Sequence, residues 1–152
     1  AVKIALSPTG MKFGREVHAA FEAVGWVDEA EPVLLESEAG VMVKDLLDKA
    51  EVRGLFERRG RDAGLFREQQ VEAILDGRWL SGVIDRLHVF DDGKSVEIID
   101  FKTDAVKSDE ELVERYTGQM ESYRKVMSKV YGGAEVKCLL VSTKLGRLVE
   151  VG

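Results

Sequence analysis

Residues 82–104, GVIDRLHVFDDGKSVEIIDFKTD, read as two strands joined by a turn, and the turn decides which residues face each other. Asp92-Gly93 lies between two runs rich in β-branched residues, a strong short signal for a two-residue hairpin of type I′ geometry, in which both central residues need φ > 0. Such a turn predicts Asp91 opposite Lys94, and stepping outward pair by pair brings Asp85 opposite Asp100. Like charges in that relation destabilise a sheet, because their Cβ atoms lie only about 4.5–5.5 Å apart. Two acids at one spot call for something that compensates them.

One hairpin upstream the same logic extends the row. Asp76-Gly77, between LFREQQVEAIL and RWLSGVIDRLHVF, predicts a second two-residue turn that sets Glu68 opposite Asp85. Lys102 shares the face of Asp100, since residues two apart on a strand do so, and Arg86 is expected on the other face in a structural ion pair. Three carboxylates and one ammonium on one face suit a hard divalent cation, and Mg²⁺ takes oxygen ligands in octahedral geometry while keeping several waters. The competing reading is a solvated acidic face with Lys102 as a surface partner of Asp100. Ile98, Ile99 and Phe101 surround Asp100 with apolar bulk and weigh against it.

Around this meander the chain has the texture of an α/β domain. Phe13, Val17, Ala20, Phe21 and Val24 form one helical stripe over residues 12–24, ended by Gly25. VMVKDLLDKAEVRGLFERR predicts one or two further helices. Ser108 and Glu111 make a capping-box signature for a helix carrying Leu112, Tyr116, Met120, Tyr123, Met127 and Val130 at helical spacing. EVKCLLVST then reads as a strand buried on both faces, reached by a right-handed crossover, and RLVEV as a last extended piece. The expected order is α-βββ-α-β, a mixed sheet covered by helices.

Composition narrows the function classes. The 152 residues suit one domain, residues 1–152, with a core that needs no staples. A single cysteine, Cys138, in an apolar run implies a buried reduced thiol and excludes a four-cysteine iron–sulfur or zinc site. The formal charge of −6 offers no global attraction to nucleic acid or to an anionic membrane, so any polyanion must be met locally. The opening AVKIALSPTGMKF lacks a signal-peptide pattern, the chain is read as starting on a short extended piece, and no run approaches the roughly 18 apolar residues of a membrane helix. A soluble, cytoplasmic protein is expected. The start without Met fits a processed terminus or a domain of a longer polypeptide.

Two helices can complete a site. His18 falls at the border between the apolar stripe and solvent, where a flank residue and a ligand are both open readings. Gln119 sits within the core-facing stripe of the later helix, where an amide needs a partner, one turn before Tyr123, which also reads as a core residue. The one basic concentration is VRGLFERRGR, with Arg53, Arg58, Arg59 and Arg61, which reads either as a plain helix end or as a track for DNA phosphates.

GREVHAAFEAVGW, GVIDR, IIDFKT and YTGQMESY, in this order, resemble the PD-(D/E)XK nuclease superfamily, and within it the RecB-like nuclease domain of RecB and AddA-type helicase-nucleases. The resemblance implies a restriction-endonuclease-like core and a DNA nuclease of exonuclease V type. It implies Asp85, Asp100, His18 and the Phe101 backbone carbonyl as ligands of Mg²⁺, with Mn²⁺ able to substitute. Lys102 would act on the attacking water and the transition state, Gln119 and Tyr123 would support the site, and Glu68 would be an additional acid. DNA and the helicase domains of a parent chain are the implied partners. No G-x-x-x-x-G-K-[ST] motif occurs, so this chain carries no ATP engine of that kind. A structure-specific or restriction-type endonuclease and a non-catalytic DNA-binding domain are the alternatives, the latter disfavoured by the intact Asp85, Asp100 and Lys102.

Overall fold

A computed structural model describes residues 8–152, and the extended opening piece expected of AVKIALS lies outside the described residues. Helix α1 (Pro8–Glu22) is followed by α2 (Glu38–Leu47) and α3 (Ala50–Leu55). Strands β1 (Ala63–Leu75), β2 (Arg78–Phe90) and β3 (Ser95–Lys102) form the meander, then come α4 (Asp109–Val130), β4 (Glu135–Ser142) and β5 (Arg147–Val151). The five strands form one sheet in sequence order, antiparallel except for the parallel β3–β4 pair that α4 connects. This is the mixed α/β architecture that the order of elements predicts.

Both turns carry the geometry their residues demand. Asp76 (φ 50°) and Gly77 (φ 78°) close β1–β2, with Leu75 opposite Arg78. At the second turn Asp92 and Gly93 have φ of 58° and 84°, but Asp91 is also left-handed at 55°. The Asp91–Lys94 pair therefore leaves the ladder, which closes on Phe90–Ser95 without any change of register. Ser108 caps α4 by accepting from the Glu111 N–H (3.1 Å), while the Glu111 carboxylate reaches back to the Lys107 N–H (2.8 Å).

Two cores sandwich the sheet. Ile98, Cys138 and Leu140 pack against Leu112, Met120 and Tyr123 of α4. Ile99, Phe101, Leu139 and Val141 pack against Val17 and Phe21 of α1, Val43 of α2 and Phe56, the residue after α3. The period-2 alternation of β3 and β4 explains why both strands are buried on both faces. Phe21 stacks on Phe101 with ring centroids 4.0 Å apart and planes at 7°. Truncating such a residue costs about 3–5 kcal/mol. That stack holds α1 across the sheet.

One break in the alternation positions everything else. In β1, Glu68 is left-handed (φ 50°) and unpaired, although Arg67–Arg86 and Gln69–Ile84 on either side keep the expected register. Beyond it Val71, Ala73, Leu75, Leu80 and Ile84 join the α4 core, whereas Arg67, Arg86 and His88 lie on the α1 side. Asp85 and Arg86 thus both point toward α1. The expectation that Arg86 would occupy the face opposite Asp85, in an ion pair, is corrected: a left-handed residue shifts the facing by one position. Arg86 is 1% exposed and donates to the carbonyls of Val24 (2.6 Å) and Gly25 (2.9 Å) and to His88 Nε2 (2.7 Å).

Candidate active site

The β2–β3 ladder stops at Arg86–Ile99, and where the strands part the side chains of Asp85 and Asp100 bridge the gap. The Asp85 N–H donates to Asp100 Oδ1 (3.3 Å) and the Phe101 N–H donates to Asp85 Oδ2 (2.9 Å). These two bonds replace the missing rungs. The opposed acids predicted from the turn are therefore real neighbours, and the backbone beside each is a donor to the other strand's carboxylate.

Helix α1 brings His18, whose Nε2 lies 3.1 Å from Asp85 Oδ2 while Nδ1 meets the Gly14 carbonyl at 2.8 Å. Its arrival depends on Phe21, one turn later in the stack on Phe101, and on Gly14, where a Cβ would sit 3.0 Å from Thr103 Oγ1. Sequence periodicity gave no signal for Gly14. A carbonyl accepts only, so Nδ1 carries a proton, and Nε2 faces a carboxylate. The hydrogen bond to Asp85 accordingly raises the His18 pKa to about 9 against the opposing effect of burial.

On the α4 side, Lys102 Nζ pairs with Asp100 Oδ2 (2.9 Å), donates to Gln119 Oε1 (3.2 Å) and lies 3.9 Å from the centroid of the Tyr116 ring. The Tyr116 hydroxyl donates to Asp104 Oδ2 (2.8 Å), which also receives Arg115 Nη1 (2.6 Å). Helical spacing marks Tyr116 as core, and the same spacing places it one turn before Gln119 beneath Lys102. Asp104 and Arg115 carried no signal of their own beyond their charge. Tyr123 is buried, its hydroxyl 3.3 Å from the Val83 carbonyl, an approach that Gly82 permits: a Cβ there would collide with that hydroxyl.

The two carboxylates are driven apart electrostatically. Asp100, 3% exposed, is pushed up to about 6 by burial, with Lys102 opposing and Asp85 reinforcing the rise. Asp85 is held below the usual range because His18 and the Phe101 N–H outweigh its own burial. Opposite shifts in neighbouring acids are a mark of functional clusters. Glu68 is level with Asp85 but exposed on its left-handed turn, and it is raised first by partial burial and then by the Asp85 charge.

The arginine run is not brought to this cluster. Arg61 pairs with Asp91 (2.6 Å), six residues along from Asp85 and so about 20 Å away at strand rise. Arg58 pairs with Glu29 (2.6 Å), Arg53 with Glu31, and the Arg59 N–H donates to Asp28 (2.8 Å).

A family model described as PD-(D/E)XK nuclease superfamily matches residues 5–149. The chain belongs to that superfamily. It is also 25% identical over 150 residues to a subunit of the ATP-dependent helicase/nuclease of Streptococcus sanguinis (strain SK36). That match covers 88% of this chain and 12% of the relative, so the chain spans about an eighth of the protein it matches. Both matches support a nuclease and are consistent with a RecB-like nuclease domain, and members of this superfamily typically use divalent metals.

The donor set suits such an ion. Two ligands at right angles about 2.1 Å from Mg²⁺ stand about 3 Å apart, close to the 3.1 Å between His18 Nε2 and Asp85 Oδ2. The Gly14 carbonyl fixes the His18 ring from behind, the arrangement that orients a ligating histidine. Among the described residues no three His, Cys, Asp or Glu side chains already form a cage. Asp100 is turned instead to Lys102 and the Asp85 N–H. Among the described residues, no helix is long and apolar enough to cross a membrane.

Proposed function

We propose that this nuclease is a Mg²⁺-dependent deoxyribonuclease that degrades DNA from its ends, serving as the nuclease module beside helicase domains in double-strand-break processing. The observation that carries the reading is the pairing of half-buried Asp85 with buried Asp100, with Lys102 held 2.9 Å from Asp100. Similarity to one chain of a helicase/nuclease supports the association with helicase domains.

In this reading His18 Nε2, the carboxylates of Asp85 and Asp100, and the Phe101 carbonyl would hold the metal, with Mn²⁺ able to substitute. The bound ion would draw in a phosphate oxygen and lower the pKa of a water toward neutrality. With its pKa raised only to about 6, Asp100 is largely ionised at neutral pH, so the pair can present two negative charges to the ion. Lys102, fixed by Gln119 and by the Tyr116 ring, sets an ammonium against charge developing on the phosphate. Tyr123 fastens α4 to β2 and so keeps Gln119 in reach of Lys102.

The test is cleavage of end-labelled linear and covalently closed circular DNA with Mg²⁺, Mn²⁺ or chelator, alongside Asp100→Ala and Lys102→Ala. Metal-dependent loss of the linear DNA alone, absent in Asp100→Ala and about a hundredfold slower in Lys102→Ala, is expected. Cutting of the circle would establish an endonuclease, and no cleavage together with no metal binding by calorimetry would leave a binding domain.

A further inference from the structure

The β1–β2 hairpin continues past Asp85 as an arm supported on one side only. Its inner residues Val71, Ala73, Leu75, Leu80 and Ile84 rest on the α4 core. By alternation its outer face carries Gln70, Glu72 and Ile74 on β1 and Trp79, Ser81 and Val83 on β2. Ile74 and Trp79 are cross-strand partners, each 65% exposed, and Val83 is 44% exposed. The chain's other tryptophan, Trp26, is 8% exposed against His88 and Arg86. Single exposed apolar residues need no explanation. This row differs because its alternating series 79, 81, 83 leads, on the same face, to Asp85.

We infer that this outer face is the track of an unpaired DNA strand, with a base stacked on the Trp79 indole and Ile74 and Val83 as its apolar flanks. The inference rests on the nuclease reading and names the form of its substrate. Trp79 lies six residues from Asp85, about 20 Å along the strand, so the stacked base belongs to the same strand as the reacting phosphate but several nucleotides from it. Several nucleotides in from an end, only an unpaired strand offers a free base face; within a duplex both faces are covered by neighbouring pairs. Charge leads to the same conclusion. With a formal charge of −6 the chain gains little from phosphate attraction, and Glu72, the charged residue among these six, turns phosphates away from the face. Bases inward and phosphates outward is the orientation that remains. Stacking is also sequence-tolerant, which suits a strand processed without base readout.

The experiment is a titration of the protein with a short oligothymidylate in chelator, where cleavage is blocked, read by intrinsic tryptophan emission. Quenching of the wild type is expected, absent in Trp79→Phe because the buried Trp26 does not respond. Binding of Trp79→Ala, measured by anisotropy of the labelled oligonucleotide, should weaken about fivefold to a hundredfold, with Trp79→Phe close to wild type and both variants melting as the wild type does. No wild-type binding, unchanged affinity in Trp79→Ala, a quench that survives in Trp79→Phe, or equal affinity for a duplex would overturn it. Self-association abolished by Trp79→Ala would overturn it too, by giving the face to a second copy. Cleavage that is intact while oligothymidylate binding ignores Trp79 removes this inference and leaves the nuclease; Trp79-dependent binding without metal-dependent cleavage does the reverse.

Discussion

Strand β2 carries two buried polar clusters side by side, and they are built on opposite principles. Around Arg86 each guanidinium nitrogen donates to a protein acceptor: two carbonyls of the α1–α2 connection and His88 Nε2, whose ring Nδ1 meets Glu97 Oε1 at 2.9 Å. Arg86 donates to His88 Nε2, so that nitrogen bears the lone pair and the imidazole is neutral. One residue earlier, Asp85 faces a second carboxylate and a charged histidine, with pKa values pushed in opposite directions. The first cluster is closed and serves the fold. The second sets two carboxylates against two side-chain cations, His18 and Lys102, and a bound metal ion can take the place of the His18 proton.

This contrast fails or holds first on activity. Asp100→Asn keeps the shape of the corner and removes one charge, and metal-dependent cleavage should fall about a thousandfold or more, equivalent to about 4 kcal/mol in the barrier. Thermal stability should stay level or rise, because a buried carboxylate raised to about 6 is itself a burden on the folded state at neutral pH. Melting temperature and single-turnover rate, taken together, decide it: a large loss of stability would make Asp100 a structural residue like Arg86.

The opposite pattern is expected at Arg86→Met, which leaves the Val24 and Gly25 carbonyls without their donor. Hydrogen bonds to charged groups contribute about 1.5–3 kcal/mol each, so a net loss near 3 kcal/mol is expected, a fall of about 6–12 °C in melting temperature for a chain of this size. Cleavage per folded molecule should change little. Urea unfolding alongside active-site titration checks both halves.

How much of this was legible depends on which physical signal each residue carries. The Asp-Gly turns announce their own φ > 0 geometry, so the register and the Asp85–Asp100 meeting followed from short-range chemistry, even though Asp91 dropped out of the ladder. Glu68 adopts a left-handed backbone with no glycine or asparagine to signal it, and the facing of Arg86 was misread for that reason. Gln119 was legible as an amide on an apolar stripe. Tyr116 was not, because a ring packed beneath an ammonium and a ring packed in a core have the same helical spacing. The arginine run reads in sequence either as a plain helix end or as a phosphate track, and the carboxylate partners of Arg53, Arg58 and Arg61, namely Glu31, Glu29 and Asp91, come from distant segments that only the fold assembles.

A smaller effect sharpens the functional side of the comparison. Tyr116→Phe keeps the ring under Lys102 and loses only the bond to Asp104, whereas Tyr116→Leu loses the ring itself. A cation–π contact at a partly buried site contributes about 1–2 kcal/mol, so Tyr116→Leu should slow cleavage about fivefold to thirtyfold and Tyr116→Phe clearly less. Calorimetry should show unchanged metal affinity in both, separating a ring that positions Lys102 from one that shapes the metal corner.

The smallest effect distinguishes the clusters by sign alone, through their two histidines in metal-free protein. The His18 pKa is raised to about 9, chiefly by its bond to Asp85, so its contribution is complete below the ordinary value near 6.5 and disappears as pH rises through about 9. For His88 the shift is downward, burial outweighing Glu97, so its contribution is present above about 6.5 and is lost as pH falls below that value. Stability measured by urea unfolding should therefore drop on the alkaline side in wild type and not in His18→Gln, and on the acid side in wild type and less in His88→Gln. With the His18 side chain 35% exposed, solvent screening holds its share to about 1 kcal/mol. Were both histidines to lose stability on the same side, the two clusters would not differ in the protonation that separates a closed network from an open one.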